Sequence, residues 1–350
     1  MTVSAARSTE TDEATAAFHV ALAQIGAETA VGAMALWADV PTDLRAATAG
    51  GWLRRAITLV MGQRRRSRDL ARAFYRLARA LQTGRTVADP YHPEPTHVTL
   101  ADLRREFAAL AGAARPMAPA GGGAATGESG EAPRPAVEDE RVLVEELPGL
   151  REAEEAIERQ AEEELATVLE ALGILNLHRK VAEVDDGQPA RVADRERAEA
   201  HRQAGAQQAA AASRVAMNGA RSATWNHMRR DGRALGYVRL SKSGTPCGWC
   251  AMLISRGAVY KSRESATFAD GDRYHDNCVC YAAPVFNRQQ FQGSELMALS
   301  REYGALWPKV TKGLSGKAAV SAWRRFIRQK HRAAEAQEAE RQSTITAQEA

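Results

Sequence analysis

The sequence predicts a mainly α-helical protein. It reads as a helical N-terminal unit, a flexible linker, a run of long helices, and a small α+β C-terminal domain stapled by cysteine and histidine. Three observations carry this. Alanine is abundant and aromatics make up only 6% of the 350 residues, a composition that favours helices over sheets. Apolar residues recur at steps of three and four along most of the chain. All four cysteines, Cys247, Cys250, Cys278 and Cys280, fall in one 34-residue window rich in glycine and turn residues.

In chain order, residues 1–13 are polar and are expected to be disordered. Ala14–Leu36 carries apolar positions at helical spacing. A second pattern, Gly51–Leu81, is interrupted by Arg64, Arg65, Arg66 and Arg68, which reads as a turn between two helices. Thr83–Pro95 (TGRTVADPYHPEP) is a loop by its prolines and glycine. Thr99 and Asp102 form an N-cap pair for a helix over Leu100–Ala113. Together these make a helical domain over residues 14–114. Residues 115–137, with PMAPAGGGAATGESGEAPRPA at their core, have too few large apolar side chains to pack and read as a flexible linker.

Residues 138–210 hold long helices. An acidic one covers Glu138–Leu177, with Ile157, Leu165, Val168, Leu169 and Leu172 on one face. VDDGQPA (Val184–Ala190) breaks it, and an alanine-rich helix follows from Val192 to Arg230. From Asp231-Gly232 onward, β-prone residues, glycines and a proline predict short strands and turns, and VCYAAPVF is again strand-like. Residues 211–290 are thus the cysteine domain. Helices return over 291–332 around Trp307 and Trp323, and 333–350 is a charged tail expected to fray or to be disordered.

The formal charge of +4 is small for this length and does not by itself mark a nucleic-acid binder. Basic residues are mostly arginine, with lysine first appearing at Lys180, which reads as compositional bias. The N-terminus lacks the apolar stretch of a signal peptide. The apolar windows around Val31–Trp37 and Ile57–Met61 are too short to span a bilayer. The expectation is a soluble chain made in the cytoplasm, where clustered cysteines are more often metal ligands or reactive thiols than disulfides.

The cysteine pattern is Cys247-x2-Cys250, a gap of 24 residues, then His275-x2-Cys278-x-Cys280. Tetrahedral zinc takes four such donors at roughly 2.3 Å from sulfur. A CxxC turn brings two sulfurs together, and Cys278 and Cys280 share a face if the chain is extended there. Five donors compete for four places, and the spacing leaves open which one stands aside. Buried thiols, disulfides and a Cys–His nucleophilic pair, with His275 or His227 as base, are the alternatives. The spacing favours structural zinc, and a glycine-rich region this short can hardly build a strong core unaided. No GxSxG, P-loop or HExxH occurs, and no catalytic residue is assigned. Arg229, Arg230, Arg233, Arg239, Lys242, Arg256, Lys261 and Arg263 flank the cluster and would serve a nucleic-acid-binding module. Asp231, Glu264, Asp270, Asp272 and Asp276 dilute that charge, so a solvated surface is the simpler reading.

Arg214-x3-Asn-Gly-Ala-Arg221, a Gly236-Tyr237 step, PCGWCAML (Pro246–Leu253), GAVY (Gly257–Tyr260), YHDNCVC and a PVF ending follow in that order. This order resembles the phage Mu F-like (MuF) minor head protein domain, also called the phage head morphogenesis domain, in its actinobacteriophage form. The hallmark of that family is CxxC followed by HxxCxC. The resemblance covers about Ala211–Phe286, and LARAFYRLARALQTG (Leu70–Gly84) resembles the front half of such proteins less specifically. Val279 stands where many members carry a basic residue, and Asp276 where many have a proline. The resemblance implies a minor capsid protein of a tailed phage or prophage, made in the host bacterial cytoplasm and located in the procapsid or head. Its implied partners are the portal protein and the major capsid or scaffold protein, with DNA as a further candidate, and neither a membrane nor a small-molecule substrate. Some relatives are head maturation proteases, so a protease using a Cys/His pair is the alternative.

Overall fold

The computed structural model describes residues 5–43, 49–112, 140–185, 187–241, 245–258, 276, 278 and 280–349. The expected linker, His275, Lys242, Lys261, Arg263 and the end of the GAVY step lie outside the described residues. The described residues are mostly helical, with a few short strands. In order they form α1 (Ala5–Ala38), α2 (Gly50–Thr83), β1 (Arg85–Val87), β2 (His97–Thr99), α3 (Leu100–Gly112), β3 (Arg141–Glu145) and α4 (Leu150–Glu170). A π-helical turn (Ala171–Leu175) leads into α5 (Asn176–Ala182), followed by α6 (Ala190–Arg230), β4 (Gly236–Leu240), α7 (Gly248–Ile254), β5 (Tyr281–Val285) and α8 (Arg288–Gly293). A 3-10 turn (Glu295–Met297), α9 (Ala298–Val310) and α10 (Gly316–Glu349) complete the chain. Two compact units result, one of Met1–Asp231 with Tyr274–Cys278, the other of Gly232–Arg273 with Val279–Ala350.

In the first unit α6 packs against α1, α2 and α4. Small residues set how closely they approach. A Cβ on Gly219 of α6 would run into the Arg64 carbonyl of α2, and one on Gly205 into the Trp37 ring of α1. Trp37, Trp52, Val60, Leu165, Leu169, Ile174 and Leu177 form one buried cluster here, and Phe18 stacks on Phe74 at 4.5 Å between centroids. A three-stranded sheet of order β1-β3-β2 closes the unit, with β3 parallel to β1 and antiparallel to β2. The acidic segment was expected to be helical from Glu138. Its first residues, Arg-Val-Leu-Val-Glu, instead form β3, because the β-branched pair Val142 and Val144 finds a strand on either side.

The expected turn at Arg64–Arg68 does not exist: α2 is one continuous helix of 34 residues. Its arginines do not interrupt the helix; several turn inward. Arg64 Nε donates to the Glu158 carboxylate at 3.0 and 3.1 Å, and its Nη1 donates to the Val215 carbonyl at 3.0 Å. Arg72 pairs with Glu154 at 3.2 Å. Arg76 donates to the Val87 carbonyl and to Glu94 and Glu106. Arg79 forks onto Asp231 at 2.6 and 3.1 Å and donates to the Thr86 carbonyl and Glu145. Tyr75 donates to the same Asp231 at 2.9 Å, and burial followed by that carboxylate pushes its phenol well above the usual range.

Helix α1 begins at Ala5, ahead of the expected Ala14. Thr9, Thr11 and Thr15 donate to carbonyls four residues back, and Glu10 accepts from Arg104 of α3, so this polar start is held in place. By length and composition α1 could cross a membrane, although its apolar windows read as too short in the sequence. Alanine and glycine extend its apolar character without conspicuous large residues. Its Phe18, Leu22 and Ile25 are buried in the first unit, as in the core helix of a folded domain. The Thr99–Asp102 cap is present: the Asp102 backbone N–H donates to Thr99 Oγ1, and the Thr99 N–H donates to the Asp102 carboxylate, both at 3.1 Å.

In the second unit β4 and β5 pair antiparallel, from Gly236 opposite Val285 to Leu240 opposite Tyr281, and every residue of both strands is buried. Trp323 of α10 is enclosed by Tyr303, Trp307 and Phe326, with centroids 5.1–5.7 Å away. Helix α10 continues to Glu349, through the segment expected to fray.

Replacing Arg79 by Met removes the guanidinium from two acids, one of them fully buried, and is expected to cost about 3–5 kcal/mol in urea unfolding. Adding Asp231→Leu should recover part of the loss, since the stranded carboxylate goes with it. A single-variant loss below about 1 kcal/mol would show that the fork contributes little. His227, wholly buried, has its Nδ1–H on the Ala223 carbonyl at 2.9 Å and lies 3.7 Å from Glu154. Burial lowers its affinity for a proton. Below the unfolded-chain value of about 6.5, the unfolded chain takes up a proton that the folded one resists, so stability falls with falling pH by up to about 1.4 kcal/mol per unit. Unfolding curves at about pH 7.5 and 5.5 should show a smaller decline for His227→Gln; equal declines would contradict this.

Candidate metal centre

Cys247 caps the N-terminus of α7, with an extended backbone (φ −55°, ψ 155°) and its sulfur accepting the Cys250 N–H at 3.4 Å. This is the turn expected of a CxxC knuckle. A Cβ on Gly248 would sit 3.1 Å from Arg324 Cγ, so only a minimal side chain fits there easily. Cys250 lies on the first turn of α7, and Cys250–Ile254 are all buried. Cys278 and Cys280 lead into β5 and are buried too, whereas Cys247 is exposed.

The sulfurs of Cys250, Cys278 and Cys280 all lie within 4.8 Å of one another. Three buried thiols this close could bind a metal ion, and thiolates suit a soft or borderline one. Of the five donors singled out in the sequence, the structure thus gathers these three. It places Cys247 at the surface end of the same turn, while His275 is outside the described residues.

Two arginines of α6 hold the stretch that delivers Cys278. Arg214 Nε donates to Asp276 Oδ1 at 2.6 Å, and Arg221 Nη2 donates to the Cys278 carbonyl at 2.6 Å. Asn218 orients Arg221 by accepting from its Nη1 at 2.9 Å. Seven residues are about two turns of helix, so the two arginines project from one face. In the sequence this pair served only as a family mark; its signal as a clamp was the seven-residue spacing.

Two residues considered at the sequence level have other roles. His227, a candidate base, is sealed inside the first unit and cannot meet a substrate. Arg239, counted among the basic residues flanking the cluster, is only 1% exposed on β4 and contributes nothing to a surface. Arg229, Arg233 and Arg256 are exposed as expected.

A protein-family model described as VG15 protein matches residues 179–306. The match suggests a phage protein. It runs from α5 into α9 and includes both clamp arginines and all four cysteines. No curated protein and no solved structure matches the chain.

The burial pattern sets an order of thiol reactivity. In the metal-free full chain, Cys247 should react rapidly with an aromatic disulfide reagent and the other three slowly. Arg221→Ala should move Cys278 into the fast class. Four equal rates in the unaltered chain would contradict the arrangement.

Proposed function

We propose that this chain is a minor capsid protein of a tailed phage or prophage that acts in head morphogenesis. It associates with the portal or procapsid and carries a structural zinc ion. The carrying observation is the convergence of Cys250, Cys278 and Cys280, which unites the CxxC and HxxCxC halves of the MuF hallmark inside the stretch that matches a phage family. Zinc fits the donors. Three buried thiolates need one more ligand for a tetrahedron, and Cys247 or His275 supplies it. A closed set of protein ligands is a structural site, and its binding energy adds directly to the stability of the fold.

The partners that fit are the portal protein and the major capsid or scaffold protein. Long helices with exposed faces offer extended contact surfaces, and a zinc-held module keeps its shape without a large core. The site so read has no open position for a substrate.

Procapsids isolated from a producing host test both halves of the reading. The chain should be present in a few copies per head, and the purified full chain should carry about one zinc, which Cys278→Ser removes along with incorporation into procapsids. Absence of the chain from procapsids would overturn the capsid role. A metal-free chain whose melting temperature ignores chelators would overturn the zinc site and leave the capsid role standing.

A further inference from the structure

Between Tyr303 and Arg332 the chain carries eight lysines and arginines and no aspartate or glutamate. Seven of these basic residues, Lys309, Lys312, Lys317, Arg324, Arg325, Arg328 and Arg332, are exposed. Lys330 pairs with Glu302, but among the described residues Lys309, Lys312, Lys317, Arg325, Arg328 and Arg332 enter no ion pair. This differs from the first unit, where the buried arginines of α2 each meet a carboxylate.

On α10 the basic residues are ordered. Ala319, Trp323 and Ile327 face inward, and Trp323 is fixed among Tyr303, Trp307 and Phe326. Lys317, Ser321, Arg324, Arg325, Arg328 and Arg332 recur at steps of three and four on the opposite, exposed face. They form one straight stripe about 23 Å long, at 1.5 Å per residue. Arg324 is braced over the Trp249 ring at 5.7 Å. Like charges at this spacing repel and weaken a helix, so the stripe lowers stability unless something anionic lies along it.

We infer that the Lys317–Arg332 stretch of this outer face of α10, with the α9–α10 turn beside it and ending before the exposed Glu335, binds the phosphate backbone of double-stranded DNA. A duplex presents one negative charge per ~1.7 Å of axis, so a 23 Å stripe meets roughly a dozen phosphates, enough for each of its cations to find one. The stripe carries only Lys, Arg and Ser, without the aromatic anchor that organises a protein–protein interface. Its contacts are therefore with phosphate, and binding is independent of base sequence. The stripe lies beyond the stretch that matches the phage family, and the inference does not rest on the head-assembly reading.

The test is fluorescence anisotropy of a labelled duplex of about 30 base pairs with the full chain, from about 50 to 200 mM salt. The unaltered chain should lose affinity steeply with salt. A variant with Lys317→Gln, Arg325→Gln, Arg328→Gln and Arg332→Gln should have its log–log salt slope reduced by about three to four. A matched variant with Arg54→Gln, Arg55→Gln, Arg65→Gln and Arg191→Gln, all exposed in the first unit, should keep the slope of the unaltered chain. Circular dichroism confirms folding. Should the fourfold α10 variant unfold, Lys317→Gln/Arg325→Gln and Arg328→Gln/Arg332→Gln are measured separately, each with a slope reduction of about two. Equal losses in both fourfold variants, no salt-dependent binding, or displacement of the duplex by polyglutamate as readily as by unlabelled duplex would each overturn the proposal.

Discussion

The buried guanidiniums of α2 are the constraint on which the first unit depends. Arg64, Arg72, Arg76 and Arg79 lie on one helix with side chains almost fully removed from water. None could be buried without a carboxylate, because an uncompensated charge in a core costs several kcal/mol. The acceptors come from α3, α4, β3, the loop before β2 and the end of α6. Each element is therefore placed by charge as well as by apolar packing. Asp231 shows the coupling most clearly: it follows the last residue of α6 and accepts from both Arg79 and Tyr75, tying the end of α6 to α2.

This constraint also explains what the sequence could and could not reveal. The Thr99–Asp102 cap, β4 and β5 were legible because their signals are local. A cap needs two residues at fixed spacing, and a short buried strand needs a β-prone run between turns. Arg64–Arg68 read as a turn because four arginines in five residues look incompatible with a core. The partners of Arg64, Glu158 and Val215, lie about ninety and one hundred and fifty residues away, and periodicity carries no information about them. β3 was lost for the same reason: its strand character depends on neighbours contributed by β1 and β2.

The candidate metal centre divides along the same line. The spacing groups four cysteines and a histidine, and of these the structure gathers Cys250, Cys278 and Cys280. That Cys250, Cys278 and Cys280 converge is a tertiary fact, and so is the means. Arg221 grips the main chain at Cys278, and Arg214 takes the Asp276 carboxylate two residues before it. The first contact is to backbone and the second to a side chain, so the clamp depends on Asp276 but not on the side chain of Cys278. Gly219, between the clamp arginines, lets α6 approach the α2 backbone. One short motif thus serves two contacts at once.

The absence of lysine from the first half of the chain takes on physical meaning here. Arg79 satisfies both oxygens of Asp231, a second carboxylate and a carbonyl from a single planar head. An ammonium has three donors and no such fork, so Lys at this position would leave acceptors unfilled. Buried multi-acceptor sites therefore select arginine, whatever the compositional background. Lysine enters at Lys180 and recurs over 309–330, where Lys309, Lys312 and Lys317 face solvent and a point charge suffices. A net charge of +4 conceals this division between inward guanidiniums neutralised within the fold and an outward stripe left uncompensated. Only the second can act on a partner, and it is the part that whole-chain charge fails to register.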